Sequence, residues 1–223
     1  MRSAGGNSAP NCVTFNEFID AALRTSTKAA WDLIEEMKAF GLQPTGVTCS
    51  ILLKGVQRSS PASELERAMA MADGLEEPAD EVLVSSMCEA CIRAGRADLL
   101  QRALRRMRGP GCLPVTGAHT FGSLVRAYGF LGDVAGAWAA WKEMRALGVV
   151  PTSTTMGCMV EAVASNGDPE AAHRLVQELG ADAQTRPLLN ATIYGSVIKG
   201  FSHRKQFGRV WAVYKEMLSG GTE

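Results

Sequence analysis

The residues most suggestive of chemistry in this 223-residue chain are Cys88-Glu89-Ala90-Cys91, the one Cys-x-x-Cys among six cysteines at 12, 49, 88, 91, 112 and 158. A structural zinc site needs four ligands. No second Cys-x-x-Cys and no His-x-x-x-His accompanies the pair, and His119, His173 and His203 are scattered. Thiols three residues apart share one helical face, so the pair reads first as buried core and only second as a redox or metal couple. Arg102, Arg105, Arg106 and Arg108 form the densest run of charge. It reads as a solvated helix face, with a patch for a partner or an RNA backbone as the competing reading. The chain has no P-loop, no Gly-x-Gly-x-x-Gly turn after a strand, no nucleophile elbow and no His-Glu-x-x-His helix. The zinc-deaminase signature is missing as well. The expectation is a protein that is not an enzyme, with no cofactor and no metal.

Composition narrows the class. Lys and Arg number 23, as do Asp and Glu, so the formal net charge is zero; hydrophobic residues make up 46% and charged residues 21%. These are the proportions of a globular domain, which excludes collagen-like, disordered and disulfide-framework chains. No apolar run approaches the roughly 18 residues of a membrane-spanning helix, so no membrane partner is expected. Zero net charge excludes a long-range electrostatic sink for nucleic acid, so any such binding must come from local placement of residues. Residues 1–10 contain Arg2 but no apolar stretch of the secretory kind, and are too short for an organellar transit peptide. We therefore expect reduced thiols, and a chain that is a mature form or a fragment.

Any side chain that does work here is positioned by an internal repeat. Ala30–Met37, Ala137–Met144 and Val210–Met217 align, each with Trp six residues before Met and Glu directly before it. Met37, Met107, Met144 and Met217 are separated by 70, 37 and 73 residues, one or two units of roughly 35. Upstream, Thr14-Phe15, Thr120-Phe121 and Ile193-Tyr194 open apolar stretches on the same period. Gly41-Leu42-Gln43-Pro44, Gly111-Cys112-Leu113-Pro114 and Gly148-Val149-Val150-Pro151 close units.

Each unit reads as two helices. In the first, Phe15, Phe18, Ile19 and Ala22 make one apolar face, and after a break at Thr25-Ser26-Thr27, Ala30, Leu33, Ile34 and Met37 make another. Gly41 suits a left-handed helix cap, and Pro44 stops continuation. Inner turns of other units carry Gly95, Gly132 and Gly167. The expected fold is all-α: a lead at 1–11 and a 12–223 array of about six helix-turn-helix units at 12–45, 46–80, 81–115, 118–152, 153–190 and 191–223. The fifth carries an insertion at Gly180–Leu188, and the absence of a polar capping helix after the sixth suggests a truncated array. Trp31, Trp138 and Trp211 are expected to pack in the core.

A tetratricopeptide unit would open with Trp in its first helix; here Trp lies in the second. The run Val13-Thr14-Phe15-Asn16-Glu17-Phe18-Ile19-Asp20, followed by Glu35-Glu36-Met37-Lys38 and Gly41-Leu42-Gln43-Pro44-Thr45, closely resembles the pentatricopeptide (PPR) repeat. The resemblance covers about residues 12–218. It is strong in units one, four and six, fair in three and five, and weak in two. It implies a right-handed α-solenoid that binds single-stranded RNA in a chloroplast or mitochondrion, one base per repeat.

In that family the fifth residue of a unit and the last residue before the next unit read a base edge, and the second residue sandwiches bases. Carried onto this chain, the base-reading candidates are Asn16 with Thr45, Ser50 with Asp80, Ser85 with Val115 or Gly117, Gly122 with Thr152, and Gly157 with Asn190; Gly195 has no partner. Val13, Val47 and Val82 fit the sandwiching position, where His119, Thr154 and Thr192 depart from it. Arg24, Arg58, Arg93 and His203 fit a phosphate-contacting position near the end of the first helix. The competing reading of these cations is that they complement a helix C-terminus. Glycine cannot read a base, so specific readout is expected only in the first half. A protein-interaction scaffold on the same solenoid is the alternative function, and other proteins on the convex face or in the groove are alternative partners.

Overall fold

The computed structural model describes residues 10–107 and 113–219, which form twelve α-helices and no strand. They follow as pairs: α1 (Cys12–Leu23) with α2 (Thr27–Ala39), α3 (Gly46–Gly55) with α4 (Ala62–Asp73), and α5 (Glu81–Arg93) with α6 (Ala97–Met107). Then come α7 (Ala118–Phe130) with α8 (Val134–Ala146), α9 (Ser153–Ser165) with α10 (Pro169–Ala181), and α11 (Ala191–His203) with α12 (Phe207–Ser219). The chain divides into two compact units, Met1–Leu113 and Pro114–Glu223.

A pair of helices this short cannot bury both apolar faces by itself, so neighbours share a core. In the first unit α3 packs between α1 and α5, over a core that includes the fully buried Ile19, Ile34, Met37, Leu53, Leu65 and Met69. In the second, α9 packs between α7 and α11 over Phe121, Met144, Met156 and Phe201. The α7–α9 approach is close: a methyl on Gly129 would stand 2.6 Å from Ala162 Cβ. The insertion after α10 is a turn with a short 3₁₀ segment at Arg186–Leu188, anchored where the fully buried Thr185 donates 2.6 Å to the Leu179 carbonyl.

Second helices are linked to one another by ion pairs. Glu35 on α2 meets Arg67 on α4 at 3.1 Å, and that guanidinium lies 3.9 Å over the Trp31 ring. Asp73 on α4 receives both Arg102 (2.8 Å) and Arg106 from α6. In the second unit Glu170 holds Arg209 at 2.9 Å, and Glu216 holds His173 at 2.8 Å. Largely exposed pairs contribute about 0–1 kcal/mol each, so they align the helices more than they hold them. The arginine run is thus partly spent on its neighbour; Arg108 lies outside the described residues.

Cys88 and Cys91 are fully buried. Among the described residues no three His, Cys, Asp or Glu side chains converge to hold a metal, and no helix is long and apolar enough to cross a membrane. The tryptophan expectation needs correction. Trp31 is buried, Trp138 is half-buried beside the buried Trp141, and Trp211 is 63% exposed. Trp31 is covered from the next second helix; among the described residues no helix follows α12 to cover Trp211 in the same way.

Turn chemistry explains the glycines. Gly41, Gly95, Gly132, Gly148 and Gly167 have φ of +79, +69, +74, +71 and +98°. In each case the next amide reaches back five residues, as Leu42 N–H does to the Met37 carbonyl at 3.1 Å and Arg96 N–H to Cys91 at 2.9 Å. This is the Schellman closure, which requires the left-handed conformation. The last pair closes the same way, Gln206 N–H to Phe201 at 3.0 Å, but with Lys205 at φ +58°. A side chain there costs about 1–2 kcal/mol relative to glycine. Lys205→Gly should therefore stabilise the chain by about 1 kcal/mol in urea denaturation; no gain would show that Lys205 is not left-handed in solution.

Burial raises the thiols: Cys49 from an ordinary value near 9 to about 11, Cys91 to about 12, and Cys88 further in the same direction. A folded pKa above the unfolded one gives stability that is complete below pH 9 and is lost as pH rises through the folded value. Denaturant midpoints should hold to about pH 9 and fall towards pH 11. The shift should be smaller in Cys49→Ala, compared with its own midpoint at neutral pH.

Candidate nucleic-acid interface

The sequence-selected residues of the first unit gather on its three first helices. Each opens with a valine at its second residue: Val13 on α1, Val47 on α3 and Val82 on α5, exposed to 67%, 56% and 56%. Three residues on, one helical turn along the same face, stand Asn16, Ser50 and Ser85, all buried. The surface is thus a row of exposed valines beside recessed polar side chains. Exposing three valines forfeits hydrophobic stabilisation of about 25 cal/mol per Å² of apolar area. It also leaves flat apolar surfaces on which a planar group can lie.

The recessed polar groups differ in their hydrogen bonding. Asn16 Oδ1 accepts from Thr48 Oγ1 at 2.8 Å, across from α3 to α1. Ser50 Oγ has no hydrogen-bond partner and is buried, the single such side-chain atom among the described residues. A buried unsatisfied hydroxyl costs about 1–3 kcal/mol. Ser85 is buried and is not without a partner.

The residues expected to act as second readers prove to be helix caps. Asp80 accepts Leu83 N–H at 2.8 Å, Thr152 accepts Thr155 N–H at 3.1 Å, and Asn190 accepts Ile193 N–H at 3.1 Å. Thr45 precedes α3, and its own N–H donates to Thr48 Oγ1 at 3.1 Å. Ser, Thr, Asp and Asn are the natural N-cap residues, a role that spacing alone does not separate from base reading. Asp80 is exposed and keeps a carboxylate oxygen clear of its cap bond. Asn190 is used at both ends, since its Nδ2 also donates 2.7 Å to Ser153 Oγ.

The cations divide likewise. Arg93 is half-buried and turned onto α3: its Nε donates 3.0 Å to the Val56 carbonyl and its Nη2 donates 2.8 Å to Leu53. For Arg93 this is the helix-terminus reading. Arg24 is exposed and pairs with Asp20 at 3.0 Å. Arg58 and His203 are exposed, and Arg58 has no ion-pair partner among the described residues. Two residues that sequence reasoning passed over do what Arg93 does. Asn166 Nδ2 donates 2.8 Å to the Gly129 carbonyl, and Arg204 donates to Gly167. All three reach 37 residues back, to the end of the preceding first helix. That recurrence is the signal that would have found them.

In the second unit the fifth positions are Gly122, Gly157 and Gly195. Gly122 is held by contact, because a Cβ there would stand 3.2 Å from Thr155 Oγ1; Gly195 has open space around it. The flanking His119, Thr154 and Thr192 are exposed.

A helix-pair array with this face can be compared with known proteins. A model described as the PPR repeat family matches residues 10–58, and one described as pentatricopeptide repeat-containing protein matches residues 81–217. This chain belongs to the pentatricopeptide repeat family. It is 24% identical over 199 residues to a chloroplastic pentatricopeptide repeat-containing protein of Arabidopsis thaliana, covering 87% of this chain and 20% of that one. Among solved structures it resembles the pentatricopeptide repeat protein PPR10 from maize in complex with an 18-nucleotide psaJ RNA element. The TM-score is 0.66 at 20% identity, over 92% of this chain and 29% of that one. It also resembles the PPR domain of protein-only RNase P 1 of Arabidopsis thaliana in complex with tRNA. There the TM-score is 0.58 at 13% identity, over 86% of this chain and 98% of that one. The chain thus spans a fifth of the Arabidopsis relative and under a third of PPR10.

The orphaned hydroxyl of this PPR array makes a direct prediction. Ser50→Ala should leave thermal stability within about 0.5 kcal/mol of the parent or raise it, since the hydroxyl has no bond to lose. A loss above about 1 kcal/mol would show that Ser50 is bonded in solution.

Proposed function

We propose that this chain binds single-stranded RNA along α1, α3 and α5, without chemistry of its own. The observation that carries the reading is the row of exposed Val13, Val47 and Val82 beside the recessed Asn16, Ser50 and Ser85. The valines are surfaces for base faces. The polar residues, with Thr45 and Asp80 at the following helix starts, are the groups that meet base edges. Each helix pair from 12–45 to 191–223 is one repeat, and in the first half each repeat takes one base. PPR10 in its RNA complex and the tRNA-bound PPR domain support this reading by sharing the fold. The chloroplastic relative supports an organellar site of action, where the protein would stabilise, process or help translate a transcript by occupying it.

Zero net charge bears on the binding mode. Arg93 is spent on carbonyls and Arg24 on Asp20, so Arg58 is the cation of the first unit best placed for phosphate, with His203 its counterpart in the second. Affinity then rests on base contacts and stacking more than on counterion release, and is modest. Among the second unit's proposed readers, Thr152 faces a glycine partner, as does Asn190, and their contribution is correspondingly small.

One observation favours a second reading, a protein-interaction scaffold. On α12, Phe207, Trp211 and Leu218 are exposed to 59%, 63% and 59%.

An electrophoretic shift with a random single-stranded RNA pool at low salt tests the proposal. A retarded complex is expected, and none with folded protein would leave the scaffold reading. Arg58→Ala should make the plot of log affinity against log salt shallower by about 0.7 and leave sequence preference intact. A changed preference would place Arg58 at a base.

A further inference from the structure

Within the second unit, α10, the insertion that follows it, α11 and α12 surround a cavity of about 430 Å³. Sites for small molecules run from about 300 to 1,000 Å³. The insertion is a folded turn. Thr185 is tied to the Leu179 carbonyl, Gln184 N–H donates 2.9 Å to Asp182 Oδ1, and Arg186 N–H donates 2.9 Å to the Asp182 carbonyl. The backbone of Arg186 is thereby fixed beside the cavity. Its side chain is exposed and has no ion-pair partner among the described residues. Val176 and Leu189 supply apolar wall.

Tyr194 also lines the cavity. It is the fourth residue of α11, the place that Phe15 holds on α1 and Phe121 on α7, and like them it is buried, at 5% exposed. Phenylalanine fills this place in two other repeats, so the core does not require the hydroxyl. A buried tyrosine ordinarily finds a partner for its O–H. This one has no hydrogen bond among the described residues. Burial, and after it the Glu216 carboxylate, push the phenol pKa up, so the group keeps its proton.

Glu216 departs from its copies in the same way. Glu36 and Glu143, each directly before a Met, are exposed, whereas Glu216 is half-buried at the cavity. Its Oε2 meets His173 Nε2 at 2.8 Å and Gln177 Nε2 at 3.5 Å, which leaves Oε1 without a partner among the described residues. Together with the Gln177 carbonyl and the phenol oxygen, it makes a set of unspent acceptors. Ammonium and guanidinium groups carry donors only and match such a set. Arg186 offers the opposite, a fork of donors that suits a carboxylate.

We propose that this cavity binds a basic amino acid, free or at the C-terminus of a peptide, with its side-chain cation on Glu216 and Tyr194 and its carboxylate on Arg186. The site uses none of the residues proposed to meet RNA, and it stands or falls without that reading.

The experiment is a ligand-observed NMR titration of the full chain with L-arginine and L-lysine, for which dissociation constants of about 1 mM are expected. Tyr194→Phe, which restores the side chain of Phe15 and Phe121, should melt with the parent and weaken both ligands about fivefold. Glu216→Gln should weaken both about tenfold or more, and L-norleucine, which lacks the cation, should bind the parent at least about tenfold more weakly than L-lysine. Arg186→Gln should weaken L-arginine about tenfold and leave agmatine, which lacks the carboxylate, unchanged. The peptide Gly-Gly-Arg separates the two sources: tighter binding than L-arginine assigns the site to a chain end, and equal or weaker binding to the free amino acid. If Glu216→Gln does not fold, Tyr194→Phe and Arg186→Gln decide the matter. Absence of binding by both amino acids and the peptide at about 20 mM overturns the inference. So does binding that Tyr194→Phe and Arg186→Gln leave unchanged.

Discussion

Each first helix in the middle of a unit depends on a neighbour at either side. α3 lies between α1 and α5, and α9 between α7 and α11. A helix of 10–13 residues with a single partner leaves apolar surface in water and is marginal alone. Stacking removes that surface, and it demands that adjacent first helices approach closely. Small residues allow the approach, as at Gly129 against Ala162. Where carbonyls at helix ends would be stranded by it, Arg93, Asn166 and Arg204 supply donors from one repeat further on.

The same approach recesses the proposed reading residues. A polar side chain at the fifth position, as at Asn16 and Ser50, sits beside the next first helix of its unit and is buried. Burial raises the cost of leaving it unpaired, and the chain meets that cost differently in each repeat. Asn16 takes a hydroxyl from Thr48, Ser50 takes nothing, and Gly122 and Gly157 avoid the question by having no side chain. Polar side chains in this position are constrained to one or a few orientations, which suits discrimination. The exposed valines at the second position are the opposite case: they are left in water where the fold could have covered them.

Much of the fold was legible in the residues. The Gly41-Leu42-Gln43-Pro44 closure, the period of Met37, Met107, Met144 and Met217, and the apolar spacing within each segment all reflect local rules, and these rules repeat. Legibility failed where the deciding contact comes from another repeat. Arg93 reads equally as a phosphate contact or a helix-end cation until its guanidinium is seen on the carbonyls that end α3. Trp211 occupies the same sequence position as Trp31, yet one is exposed and the other lies under Arg67. Asp80, Thr152 and Asn190 also cap the helices that follow them, because an N-cap and a last-before-repeat residue are the same position.

The sequence by itself determined the all-helical repeat, the places of its turns and the candidate residues at the second and fifth positions. These follow from periodicity, from glycine's access to positive φ and from proline's missing N–H, which act within a few residues along the chain. Only the tertiary structure decided what each candidate is free to do. A side chain's hydrogen bonds 32 to 40 residues away are set by how neighbouring repeats stack, and no local rule specifies that. Asn16 and Ser50 hold the same place in successive repeats. The first accepts a hydrogen bond from Thr48 on the next first helix, and the second has no partner.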